Sequence, residues 1–155
     1  MKWMEEIGFF LYLIFLAKED RKKQALSPGL LLAGAGGGLL LRIAELIAGE
    51  REGPEILLVY GTGLLWGLLL LLLTGLARQG IGKGDGLCFL TFALWKENAY
   101  IFSLLLLSVF LLACFGLLLI FFKKKTRKLS LPLMPFVLAA AVLLSLAEYI
   151  QAASR

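Results

Sequence analysis

The chain contains no histidine. That absence removes Ser–His and Cys–His nucleophilic pairs, and with them the commonest protein ligand for zinc. Cysteine is nearly absent as well. Cys88 and Cys114 stand singly in apolar runs, which is the pattern of buried thiols rather than of a disulfide framework or a metal site. Aspartate is the scarcest charged residue: nine of the eleven acidic residues are glutamates, and only Asp20 and Asp85 are aspartates. No small-residue cleavage site separates the first apolar run from the charged loop after it, so no removable secretory signal is expected. Ser103, Ser108, Ser130 and Ser145 have no histidine to activate them, which counts against serine chemistry.

What fills the chain is hydrocarbon. Of 155 residues, 60% are hydrophobic, and the mean hydropathy is +0.88, where soluble domains carry about 45–50% apolar residues. Several apolar runs approach or exceed the ~18–20 residues that cross a bilayer. The expected fold is all-α: a polytopic membrane protein, one domain over residues 1–155, with a bundle of six transmembrane helices at about 4–18, 28–48, 55–77, 85–96, 99–122 and 131–151.

The connecting loops set an orientation. Lys18, Arg21, Lys22 and Lys23 fall in the first, Arg78 and Lys83 in the third, and Lys123, Lys124, Lys125, Arg127 and Lys128 in the fifth. The second and fourth hold only Arg51 and Lys96. The positive-inside rule puts the odd loops in the cytoplasm and both termini outside. The net charge of +5 is thereby assigned to topology and anionic lipid, with no nucleic-acid partner. Trp3, Trp95, Tyr100 and Tyr149 then fall near the outer interface, as an aromatic belt would. Arg42 and Glu45, three apart on one helix face, are expected to be a snorkelling ion pair toward the outer end. Glu148 is expected to behave in the same way. The glycines of "LLAGAGGGLL" predict a close helix contact.

The stretch "ARQGIGKGDGLCF" sets Asp85 among glycines between long apolar runs. The span after it is short. Residues 86–95 make ~15 Å of helix against a hydrocarbon core of ~30 Å, so Asp85 either sits deep or the bilayer thins there. Backbone that is irregular at such depth must be buried in protein or line a wet cavity, and an ionisable group there is a functional candidate. The bland reading is a helix cap preceded by a glycine break. For Asp20, in the run "KEDRKK", it is a solvated charge. Taken together, the two aspartates fall on the same side of the membrane, at the end of the first span and the start of the fourth. Two carboxylates sharing one wet cavity hold a proton between them. The ionised one activates water and the protonated one polarises a carbonyl, which is amide hydrolysis without histidine, metal or cofactor. A helix N-terminus favours charge on Asp85, and a helix C-terminus leaves the proton to Asp20.

At this point the sequence resembles a known family. "GKGD" (Gly82, Lys83, Gly84, Asp85) matches the GxGD motif of the type IV prepilin peptidases and archaeal preflagellin peptidases, six-span aspartic proteases of the membrane. "DRKKQALSP" resembles their first motif, an aspartate followed by a basic stretch and an Ile-Pro or Ile-Ser pair, with Leu26-Ser27 in that place. "LPLMPF" resembles the Pro-x-x-Pro-Phe segment that opens their last span. The resemblance implies catalytic aspartates at Asp20 and Asp85, supporting glycines at Gly82 and Gly84, and no metal or cofactor. It also implies substrates of the prepilin type (type IV or Flp pilin, pseudopilin or archaellin precursors), cut at the cytoplasmic boundary of the cell membrane. Two departures stand out: Gly86-Leu87-Cys88 replaces the usual hydrophobic-Lys-Leu after GxGD, and Pro28-Gly29 stands where an Asn is common. Larger members carry an N-terminal cytoplasmic segment and methylate the new N-terminus. This chain opens directly on its first span and resembles the short form without that segment. A small transporter, or an inactive scaffold that uses Asp20 and Asp85 for ion binding or capping, is the alternative from another class.

Overall fold

The computed structural model describes residues 2–23, 26–50, 52–76, 83–123 and 132–154. Among them lie six helices and no strand: α1 (Lys2–Lys23), α2 (Pro28–Ile47), α3 (Gly53–Leu76), α4 (Lys83–Phe92), α5 (Asn98–Lys123) and α6 (Met134–Ala153). Four of them, α2, α3, α5 and α6, are long and apolar enough to cross a membrane. The expectation of six spans is met in part. α1 is long, but charges at both ends (Glu5 and Glu6, then Lys18 to Lys22) confine its uninterrupted apolar stretch to residues 7–17. α4 has only ten residues, ~15 Å of helix, about half the hydrocarbon thickness.

The surface is that of a membrane protein. Leu32, Leu40, Leu57, Leu58 and Phe110 are all exposed. Lipid tails are as apolar as leucine, so hydrophobicity gives these helices no reason to associate. Packing and polar contacts must do it, and small residues at the crossings allow it. α3 and α4 show this directly. A Cβ built on Gly67 would stand 2.5 Å from the backbone nitrogen of Leu90, and one on Gly86 would stand 3.0 Å from Cα of Leu71. The two backbones therefore run in contact, with Gly63 against Ala93 further along. The glycines of α2 serve α1 and the far end of α4: Gly34 receives the Tyr12 ring, Gly37 the Trp95 ring, and Gly38 the Leu94 and Trp95 side chains, while Gly36 faces open space. The predicted close contact is present at three of those four positions.

α4 is the centre of the bundle. Cys88, Phe89 and Phe92 are fully buried, together with Phe9, Leu13 and Leu16 of α1, Ile101 and Leu104 of α5, and Met134, Val137, Ala140 and Ala141 of α6. Phe92 meets Phe9 edge to face at 5.7 Å and Phe89 at 5.3 Å. Tyr12 donates or accepts a buried hydrogen bond with Thr91 Oγ1 at 3.0 Å.

A helix that stops half-way leaves carbonyls without partners, and the chain meets this with Arg42. After Phe92 the backbone turns through residues 93–96. Arg42 reaches across from α2 and donates from Nε to Leu94 O and from Nη2 to Trp95 O, both at 3.1 Å. Its Nη1 also pairs with Glu45 at 2.7 Å and donates to the Tyr60 hydroxyl, and Nη2 lies 3.3 Å from Glu5. Glu5 in turn pairs with Lys96 at 3.4 Å. Arg42 is 5% exposed. It is therefore not the snorkelling cation expected from its position, but the buried hub joining α1, α2, α3 and the end of α4. Trp95 is a second correction. It is buried, its indole N–H donates to Gly34 O at 2.8 Å, and its ring stacks on Tyr12. Trp3 and Tyr149 are exposed as an interfacial belt requires, whereas Tyr100 is half-buried.

Candidate active site

The other end of the bundle holds the two aspartates. Asp20 lies inside α1, one turn before its end at Lys23 rather than closing it. The helix continues because Arg21, Lys22 and Lys23 are all good helix formers. Its carboxylate is turned inward and is 7% exposed. A buried carboxylate needs a donor, and the backbone amide of Met134, the first residue of α6, supplies it, donating to Asp20 Oδ2 at 3.0 Å. Asp85 sits in the first turn of α4 and is half-buried. Asp85 lies within Lys83–Phe92, the described residues of α4, and is therefore a helical acid and not the cap residue itself.

Cys88 is three residues after Asp85, on the same face of α4, and is fully buried. Three helices meet at this end: the late part of α1 carries Asp20, the first turn of α4 carries Asp85, and the first turn of α6 supplies the Met134 amide. The helix-end argument for a difference between them does not survive this geometry. Asp20 belongs to the C-terminal part of its own helix but faces the N-terminus of another, so both carboxylates lie where backbone N–H groups favour negative charge.

Neighbouring contacts tie down the α1–α2 connection. Ser27 caps α2, its Oγ accepting from Leu30 N at 3.4 Å and donating to Glu19 Oε2 at 3.1 Å. Leu26 leans on Gly84, where an added Cβ would meet Leu26 Cδ1 at 3.4 Å, an ordinary contact. Packing therefore makes a weak demand for glycine at Gly84 and a strong one at Gly86. Gly82 lies outside the described residues, as do Arg78, Lys124, Lys125, Arg127 and Lys128 of the basic loops. Beside this end, an apolar groove of about 550 Å³ runs between α2, α3 and α4, from Pro28 and Leu87 to Leu94.

Two contributors escaped the sequence reading. The Met134 amide carries no side-chain signal at all, being a backbone group on a distant helix. Cys88 had one: the three-residue spacing from Asp85 predicts a shared face. Pro135, from the "LPLMPF" segment, stands in the first turn of α6.

Comparison with known proteins supports the resemblance carried by the motifs. Residues 7–120 match the model of the type IV leader peptidase family, a stretch that includes both aspartates. No curated protein and no solved structure matches the chain.

Proposed function

This chain belongs to the type IV leader peptidase family, whose activity is in general terms that of an aspartic protease, and on that premise we propose that Asp20 and Asp85 are its catalytic pair. The reading extends to an endopeptidase that removes the short leader from prepilin-like precursors, its site facing the cytoplasm at the membrane boundary. The observation that carries it is that both aspartates stand at one end of the bundle: Asp20 is buried against the first turn of α6, and Asp85 lies in the first turn of α4, where Gly84 packs against Leu26 of the α1–α2 connection.

The chemistry follows from two acids with one proton between them. The ionised carboxylate takes a proton from water as the water oxygen bonds to the scissile carbonyl carbon. The protonated carboxylate donates a hydrogen bond to the carbonyl oxygen and stabilises the developing charge. Collapse of the tetrahedral intermediate breaks the C–N bond, and the proton passes to the departing amine. The two acids then again share one proton. The geometry suits a substrate with an apolar helix in the bilayer and a scissile bond just beyond it. The groove between α2, α3 and α4 is lined by Leu31, Leu32, Leu64, Leu87 and Leu90 and offers one such helix an apolar seat along α4.

A cleavage assay tests the proposal. The chain is co-expressed with a panel of prepilin-like precursors, and the mass shift of the precursor is followed with Asp20→Asn and Asp85→Asn variants alongside. Trimming by the wild type, lost in either variant while the protein remains inserted and folded, is the expected result. Equal trimming by the variants would remove the aspartates from the chemistry. No trimming of any precursor would favour a transporter or a scaffold.

A further inference from the structure

Resting on the proposed catalytic pair, we infer that the backbone amide of Met134 is a positioning group for the reaction, acting through Asp20. It holds Oδ2 and leaves Oδ1 as the oxygen available to water and to the proton shared with Asp85.

The first turn of α6 has an unusual economy of donors. A helix begins with backbone N–H groups that have no partner within it. Here Leu133 is the cap residue and makes no side-chain cap bond. The N–H groups of Phe136 and Val137 both turn back to Leu133 O, at 3.0 and 3.1 Å. Pro135 has no N–H. Met134 therefore provides the one outward-facing N–H of this turn, and it is aimed at Asp20. The carboxylate completes a helix end that its own sequence leaves uncapped.

The amide is also rigidly placed. The Met134 side chain is fully buried, and Val137, Ala140 and Ala141 continue the same buried face of α6. Asp20 is fixed from the other side by Phe9, Leu13 and Leu16, which anchor α1 in the core. With Oδ2 accepting from an amide, the rotation of the carboxylate is set by two packed helices and not by solvent. A group that must exchange a proton with water at a fixed angle gains rate from that restriction. A cap that merely stabilised α6 would leave the rate per bound substrate unchanged.

The test removes one atom group. Methionine at position 134 is replaced by its α-hydroxy acid in full-length chain made by cell-free synthesis into liposomes, which turns the amide into an ester with no N–H. Met134→Leu, which keeps the amide, and Asp20→Asn are made in parallel. A hydrogen bond to a charged group contributes enough that the ester should lower kcat on the order of ten- to a hundredfold. KM should stay within about twofold, and affinity for a peptide carrying a tetrahedral-carbon analogue should fall in step with kcat. Met134→Leu should stay within about threefold of wild type, as volume-conserving core swaps do.

An ester variant with wild-type kcat, or a Met134→Leu variant as impaired as the ester, overturns the inference. If Asp20→Asn is inactive while the ester variant is fully active, the catalytic pair stands and the positioning role alone falls. If Asp20→Asn cleaves normally, the pair itself falls. An independent check needs no change at residue 134. The Met134 amide proton resonance, read in ¹⁵N-labelled protein in micelles, should move upfield in Asp20→Ala, and an unmoved resonance would show that the hydrogen bond is not made.

Discussion

Arg42→Met separates a buried hub from a snorkelling side chain. The substitution keeps the length and apolar bulk of the side chain and deletes the charge. It removes donors from Leu94 O and Trp95 O, each at 3.1 Å, and leaves Glu45 and Glu5 without the cation now 2.7 and 3.3 Å away. Each charge-assisted hydrogen bond contributes ~1.5–3 kcal/mol, but simple addition overshoots, because Glu5 keeps Lys96 at 3.4 Å and the freed carbonyls regain some water. Breaking a buried pair by deleting one partner costs ~3–5 kcal/mol, whereas an exposed pair contributes ~0–1 kcal/mol. With Arg42 at 5% exposure, the expected loss is therefore about 3–5 kcal/mol. The assay is reversible unfolding in mixed micelles by SDS titration, followed by tryptophan fluorescence, to which the buried Trp95 stacked on Tyr12 contributes. In the double variant Arg42→Met/Glu45→Gln, the total loss should fall short of the sum of the singles by more than ~1 kcal/mol, since neighbours in one network do not add. A loss below ~1 kcal/mol for Arg42→Met, or strict additivity in the double variant, would refute the buried-hub reasoning.

Two further predictions concern helix packing and capping. Gly67→Ala forces a Cβ to 2.5 Å from the Leu90 backbone and should cost ~1–3 kcal/mol as overpacking, while Gly61→Ala, which meets nothing within 4 Å, should be neutral or stabilising by up to ~1 kcal/mol; the same SDS titration reads both, and equal effects at the two positions would contradict the close approach of α3 and α4. Ser27→Ala removes the cap of α2 and the bond to Glu19, and should cost ~1 kcal/mol and raise amide exchange at Leu30, measured by hydrogen exchange in micelles; unchanged exchange there would contradict the cap.

Much of the architecture was legible because the bilayer imposes it. A span must be long, apolar and helical, so hydropathy located six helices, and the observed ends of α2, α3 and α5 fall within a few residues of the expected ones. The glycine run of α2 announced a close contact, and Gly34, Gly37 and Gly38 make it. The two aspartates stood out because aspartate is otherwise missing. Two of the errors share one cause, which is that sequence position was taken to give exposure. Arg42 near a helix end was read as reaching for water, and Trp95 beside Lys96 as lying in the interface. Both are buried because α4 stops after ten residues and its open end must be filled from within the protein.

The sequence by itself therefore determined the helical class, the membrane solvent and the identity of the two scarce carboxylates, since each is written in composition and period. Only the tertiary structure decided what surrounds those carboxylates. Asp20 faces the first turn of a helix 114 residues away in the chain, and Asp85 shares a face of α4 with the fully buried Cys88. Such contacts depend on how three helix ends are packed against one another. Main-chain N–H groups are the same at every residue but proline, so no pattern of side chains shows which of them will meet a carboxylate.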